Sequence, residues 1–258
     1  MAETNIAWTQ NSWNPLSWNC TPIGPECAHC YAMELAGRYS QNANEGKFLA
    51  TPTLRERAFA ELPKLKPGPT FVCSMSDLFH KDVPSAWIHR IMNSGRFYPY
   101  LTLLCLTKRI ERARGLAPYL DWGKTWIGTS IGHVSSQWRL EELRAIRQAA
   151  GRFVSFEPLI GPLFDVDLEG IDWVIVGGES GNQRRPFQRS WVEPIFEEAQ
   201  RLHIPFFFKQ GSFRYPGNDR LFHGQEWNEV PAVWGWQKEH KHAPIVESVQ
   251  LAMFEERV

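Results

Sequence analysis

Short apolar runs recur along the chain, each followed by a polar turn and a stretch of helical periodicity. This alternation restricts the fold more than any other feature. The runs are TFVCSM (70–75), YLTLLCL (100–106), TWIGTSI (125–131), RFVSFE (152–157), DWVIVG (172–177) and PFFFK (205–209). Most are apolar at successive positions, the pattern of strands covered on both faces. Helices are expected between them. SAWIHRIMNSG (85–95) carries Trp87, Ile88, Ile91 and Met92 on one face and ends at Gly95. SSQWRLEELRAIRQAAG (135–151) aligns Leu140, Leu143 and Ile146 and stops at Gly151. SWVEPIFEEAQRLH (190–203) opens with Ser190 and Glu193 as a capping box and repeats Trp191, Ile195, Ala199 and Leu202.

Alternating strands and helices predict right-handed βαβ units and a parallel sheet. With a further short strand near NIAWTQ (5–10), about seven strands are expected. That suffices for a full or partial TIM-like (β/α) barrel; a doubly wound open sheet satisfies the same periodicity. No repeat or linker divides the chain. The expected organisation is an α/β barrel over 1–210, with 211–258 as a Trp-rich C-terminal extension packed on it.

Hydrophobic residues make up 43% of the 258 and charged residues 22%, so a large core can form without disulfide staples. The start, MAETNIAWTQ, lacks a basic stretch followed by an apolar run. No apolar segment reaches membrane-spanning length. The expected location is cytoplasmic, with no membrane partner, and clustered cysteines in that reducing compartment point to metal rather than disulfides. Lys plus Arg equals Asp plus Glu, 28 each, which argues against a protein that coats nucleic acid but leaves room for a local basic patch. Twelve tryptophans suit core packing; stacking on a base or an adenine is the sharper use.

In parallel α/β folds the active site lies at the carboxyl ends of the strands. Here every expected strand delivers polar residues to that end. The first leads into WNCTPIGPECAHCYA (18–32), with Cys20, Cys27 and Cys30 spaced C-x6-C-x2-C among Pro22, Gly24 and Pro25. The others deliver Ser74, Ser76, Asp77 and His80; Thr107, Lys108 and Arg109; Thr129 and Ser130; Glu157; GGESGNQRR (177–185); and Lys209 with Gln210. Asp77 and Ser130 also suit turn caps, and Gly177–Gly178 also suits a tight turn. Lys108 and Arg109 oppose the dipole of a following helix, which an anionic ligand would explain. Cys73 and Cys105 lie inside apolar runs and read as core residues.

Three thiolates in one loop can hold a soft metal. Three cysteines on a [4Fe–4S] cubane leave one iron free for a small molecule. S-adenosylmethionine can chelate that iron through its amino and carboxylate groups. The competing readings are a Cys3His zinc site completed by His29, His80 or His133, in a structural or nucleic-acid-binding module, and an iron–sulfur electron carrier.

The chain resembles the radical SAM superfamily. More closely, it resembles a phage-associated three-cysteine family of unknown function, through WNP, CxxCYA, FVCSMSDLFH (71–80), LTKR (106–109), SFEPLIGPL (155–163), DWVIVGGESG (172–181) and PFFFKQ (205–210). The resemblance implies a [4Fe–4S] cluster on Cys20, Cys27 and Cys30. It also implies S-adenosyl-L-methionine as cofactor, a 5′-deoxyadenosyl radical, and an external donor of flavodoxin or ferredoxin type. It places Ser76 and Asp77 at the methionine amino group, Lys108 at the carboxylate, and Ser130 and Glu157 at the ribose. Two departures stand out. The superfamily's commonest cysteine spacing is C-x3-C-x2-C, and its GGE follows the second strand rather than the sixth. The rim residues Arg109, Glu179, Arg184, Arg185 and Lys209 are the candidate substrate contacts, with Arg189 and Arg214 nearby. Such a rim suits an anionic substrate, a nucleotide or nucleic acid undergoing base modification or repair.

Overall fold

The computed structural model describes residues 4–18, 20–39 and 51–236. Residues 237–258 of the expected extension lie outside this range. Seven strands form one sheet: β1 (Asn11–Trp13), β2 (Gly68–Val72), β3 (Leu101–Thr107), β4 (Trp126–Ser130), β5 (Gly151–Phe156), β6 (Trp173–Gly177) and β7 (Phe206–Gln210). All neighbours are parallel and the spatial order is the chain order, β1 to β7. A doubly wound sheet reverses its order at a switch point. This one never reverses, so it curls as a partial β/α barrel.

The helices are α1 (Tyr31–Tyr39), α2 (Glu56–Phe59), α3 (Ser85–Phe97), α4 (Ile110–Leu116), α5 (Arg139–Arg144) and α6 (Glu193–Arg201). Side chains on a strand alternate between faces, so each buried run splits into two sets. One set, including Val72, Leu103, Cys105, Ile127, Val154, Val174 and Phe208, packs with Ile88, Ile91, Leu140, Leu143, Ile195 and Ala199 of the helices. The other set, Phe71, Leu104, Trp126, Phe153, Trp173, Ile175 and Phe207, gathers with Trp8 on the concave side. Both faces are apolar, which is why the runs show no alternation. The concave rings meet edge-on or tilted, as at Trp8 and Trp173, 6.0 Å apart. Tryptophan here is mainly a packing residue.

Residues 230–236 cover the amino end of this plug. Trp234 packs 5.0 Å from both Trp126 and Trp173, and Trp236 Nε1 donates to Gln10 Oε1 at 2.8 Å. A hairpin, β8 (Leu221–Phe222) and β9 (Gln225–Glu226), brings Phe222 and Trp227 against Phe196 and Phe206. Among the described residues no helix is long and apolar enough to cross a membrane.

Four local expectations need correction. The first strand is Asn11–Trp13 rather than 5–10, because Trp8 turns inward to the plug. α3 runs past Gly95 to Phe97; a Cβ there would lie 3.1 Å from Leu103 Cδ1, so Gly95 permits close helix–sheet approach and is not a cap. The capping box at Ser190 does not form. α6 starts at Glu193, with Pro194 in its first turn and no side-chain cap, and the Glu193 carboxylate pairs with His223 Nε2 at 2.9 Å. The long helix expected over 135–151 is likewise a tight turn at Val134–Ser136 followed by the six residues of α5.

Candidate functional site

Above the aromatic plug the concave face turns polar. The alternation that points Trp126, Phe153 and Phe207 inward carries on to Ser130, to Ser155 and Glu157, and to Lys209. Lys209 Nζ meets Glu157 Oε1 at 2.9 Å, and Ser155 Oγ donates to Glu157 Oε2 at 3.2 Å. Lys108 follows Leu104 and Leu106 on the same parity. Among the described residues its ammonium has no carboxylate partner. The polar interior is therefore built from β3, β4, β5 and β7 together.

The cysteine loop lies across this mouth and is tied down by three arginines that follow three different strands. After β3, Arg109 Nη2 donates to Thr21 O at 2.7 Å and to Thr21 Oγ1 at 2.9 Å, while its Nη1 donates to Asp77 Oδ2 at 2.9 Å and stands 3.6 Å from Cys20 Sγ. After β4, Arg139 Nη1 donates to Ser130 O at 2.8 Å and lies 3.4 Å from Glu26 Oε1. After β6, Arg185 Nη1 donates to Pro25 O at 3.0 Å. Arg185 also grips Glu179 through its Nε and Nη2, and Glu179 Oε2 sits 3.1 Å from His29 Nδ1. A loop with few apolar residues is thus fixed by buried and half-buried charge.

The electrostatics follow from these contacts. Burial alone would raise the Glu179 carboxyl, but hydrogen bonds from Arg185 and His29 outweigh it and hold the group below its ordinary value. Burial also works to raise Glu26, and hydrogen bonds from Ser136 and the backbone, with the Arg139 charge, hold it low. Burial depresses Arg139. Arg109 goes the other way: its burial is outweighed by Asp77 and Cys20, which raise it.

All five cysteines are free. Cys20 and Cys30 pack on Ala32 and Met75 in one small apolar cluster beside the mouth. The Cys20 thiol is pushed up to about 11, first by burial and then by the Asp77 carboxylate; Arg109 opposes this, and Cys27 adds a smaller push that puts it within electrostatic reach. Tyr31, next to Cys30, bonds through its hydroxyl to Ser74 O. That hydroxyl is raised by burial, with Cys30 and Glu157 adding to the effect, so the third cysteine and the interior carboxylate share one neighbourhood. Cys73 and Cys105 are core residues, with the Cys73 thiol pushed up to about 12 by burial.

Among the described residues, no three His, Cys, Asp or Glu side chains converge closely enough to hold a single metal ion. The histidines weighed for a zinc site have other partners. His29 faces Glu179; His80 Nε2 bonds Thr21 Oγ1 at 2.8 Å; His133 Nδ1 accepts from Ser135 N at 3.2 Å. Three soft sulfur donors, spaced along a tethered loop beside a guanidinium N–H, form a donor set that fits an iron–sulfur cluster.

A family model matches residues 3–231. The chain belongs to the DUF5131 family. Its description is a protein of unknown function, so membership assigns no chemistry. No curated protein and no solved structure matches the chain.

The other expected site residues divide by what they touch. Asp77 Oδ1 accepts from Thr107 Oγ1 at 2.7 Å and Phe79 N at 2.9 Å, and Oδ2 from Arg109 and from Lys108 N at 3.3 Å. It joins the β2 and β3 ends and aims Arg109. The Ser76 hydroxyl is buried, and among the described residues it has no hydrogen-bond partner. Arg109, Arg185, Glu179 and Lys209 all have internal ion pairs. Arg184 is exposed, with its Nη1 on Gly181 O at 3.1 Å. Sequence reasoning passed over Glu26, Arg139 and Asn14. Asn14, in the WNP triplet, accepts from Met75 N at 3.2 Å through Oδ1 and reaches Ser74 Oγ at 3.1 Å, setting the β2 turn. Its place two residues after Ser12 on an inward-facing parity was the available signal.

Proposed function

We propose that this chain is a radical SAM-type enzyme whose Cys20, Cys27 and Cys30 hold three corners of a [4Fe–4S] cluster. One observation carries the reading: three free cysteines lie on a single tethered loop at the carboxyl end of a parallel sheet, over a polar interior floored by aromatic rings. When bound, the cluster and S-adenosylmethionine supply one-electron cleavage of the sulfonium carbon–sulfur bond.

The chain's own residues bind, orient and exclude water. Arg109 offers an N–H to the Cys20 sulfur, and such bonds to cluster sulfurs raise reduction potential. Lys108, an inward cation free of carboxylates among the described residues, suits the methionine carboxylate. Ser130 and Glu157 suit the ribose hydroxyls, with Lys209 holding the Glu157 carboxylate in place. Asp77 acts from beneath, as a positioning residue for Arg109 and the β2 turn. The plug of Trp8, Trp126, Phe153, Trp173 and Phe207 closes the interior from the opposite end. Electrons arrive from an external donor of flavodoxin or ferredoxin type. The substrate is anionic, a nucleotide or nucleic acid, and base modification or repair is the chemistry such a site suits.

The test is anaerobic reconstitution with iron and sulfide, followed by S-adenosylmethionine and dithionite. Formation of 5′-deoxyadenosine supports the reading. A colourless protein that retains zinc and forms none refutes it.

A further inference from the structure

The loops after β6 and β7 are joined into one lobe. Ser180 bridges to Phe213 in parallel register, Gly181 N donates to Phe213 O at 3.3 Å and Arg214 O at 3.1 Å, and Ser212 Oγ donates to Arg185 O at 2.7 Å. Phe213 and Tyr215 are 44% and 59% exposed on it. The Arg214 guanidinium lies over the Tyr215 ring, 5.4 Å from its centroid. Arg184, Asn182, Gln183 and Asn218 are exposed beside them.

The charge of this lobe is one-sided within a neutral chain. Residues 179–185 and 211–218 contain Arg184, Arg185 and Arg214 against Glu179 alone. Glu179 is buried in its pair with Arg185. Asp219, at the lobe's edge, is paired with Arg189. Among the described residues neither Arg184 nor Arg214 has a carboxylate partner. Glu34 of α1 approaches Gly181 from the cysteine side.

We propose that this lobe is a docking surface for single-stranded nucleic acid, which it presents to the mouth of the barrel. Arg184 and Arg214 meet backbone phosphates, Tyr215 and Phe213 stack on unpaired bases, and Asn182 and Gln183 offer amides to base edges. A duplex hides its base faces and cannot use these rings. An acidic peptide would satisfy the cations and leave the rings idle. The lobe is also coupled to the chemistry: Glu179 links Arg185 to His29, which sits between Cys27 and Cys30. A strand held here lies next to the cysteine loop. This inference rests on the reading of the mouth as the reactive site, and names its substrate class.

Binding is measured on the full chain without added iron, using a short fluorescent RNA or DNA single strand, the matching duplex and a polyglutamate peptide. Single strands should bind more tightly than either competitor. Their affinity should fall with salt at a slope of about −1.4 for two neutralised phosphates. Arg184→Ala with Arg214→Ala should flatten that slope, and Tyr215→Ala should weaken binding about tenfold. Arg147→Ala, an exposed cation at the amino end of β5, should change nothing, and all variants should melt as the parent does. Equal binding of duplex or polyglutamate overturns the proposal, as does unchanged binding by the lobe variants. Because the assay needs no cluster, failure to bind strands is distinct from failure to assemble iron.

Discussion

Arg109 Nη1 stands 2.9 Å from Asp77 Oδ2 and 3.6 Å from Cys20 Sγ. One guanidinium thereby joins a buried carboxylate on the floor of the mouth to the first cysteine of the loop above it. Asp77 receives two further bonds, from Thr107 and Phe79, on its other oxygen, so Arg109 has little freedom to swing.

Removing this arginine should therefore leave Asp77 buried and unpaired. Arg109→Met is expected to lose about 3–5 kcal/mol of stability, the usual cost of breaking a buried pair from one side. Asp77→Asn combined with Arg109→Met should lose less than the sum of the two single changes. Chemical denaturation of the four proteins closes the cycle. Additive losses would show that the pair is not coupled.

The cysteines should separate by position. Cys20→Ala, Cys27→Ala and Cys30→Ala each lower iron retained after reconstitution to background, while Cys73→Ala and Cys105→Ala keep it and only melt earlier, having lost buried thiols. Iron assays with a melting curve on the same samples distinguish the two classes. Chelator treatment of the parent should remove the colour without unfolding the sheet, because the loop is tethered by Arg109, Arg139 and Arg185 and not by metal alone.

His80 makes stability depend on pH. Burial pushes its pKa below the ordinary 6.5, and the nearby Arg109 charge adds to this. It stays neutral in the fold while the unfolded chain takes up a proton below pH 6.5. Its contribution is thus present above that value and lost as pH falls toward the depressed native pKa. The parent should lose stability across that window, and His80→Gln, which keeps a donor for Thr21, should lose less. Parallel slopes for the two proteins would refute the assignment.

Gly132 lies against both Glu26 and Pro158, and its N–H donates to Glu26 Oε1 at 3.3 Å. A Cβ there would fall 1.9 Å from Pro158 O and 2.8 Å from Glu26 Cγ. Gly132→Ala should destabilise the protein by at least about 1–3 kcal/mol, the range for overpacking, and should lower iron retention by displacing the loop. Ala substitution at the exposed Gly170, where nothing lies within 4 Å but φ is +73°, separates backbone strain from crowding.

The strands were legible because burial on both faces leaves an unbroken apolar run, and six of the seven overlap their expected runs, five of them to within one residue at each end. β1 escaped because three residues carry little pattern. The rule that polar groups follow strands located the mouth, but it could not tell a ligand-facing side chain from a tether. Arg109, Arg185 and Asp77 look alike in sequence whether they bind substrate or hold a loop, and their partners are set by contacts across more than thirty to a hundred and fifty positions. Glu26 and Arg139 were hidden for the same reason: a charged residue in a loop reads as solvated until the fold buries it.

The most direct measurement is the Mössbauer spectrum of the protein reconstituted with labelled iron, recorded with and without S-adenosylmethionine. The account predicts about four irons per chain in a cubane, one of which changes its signal when the sulfonium compound is added. A single tetrahedral ion held by side chains alone, or a cluster blind to the added compound, would contradict it.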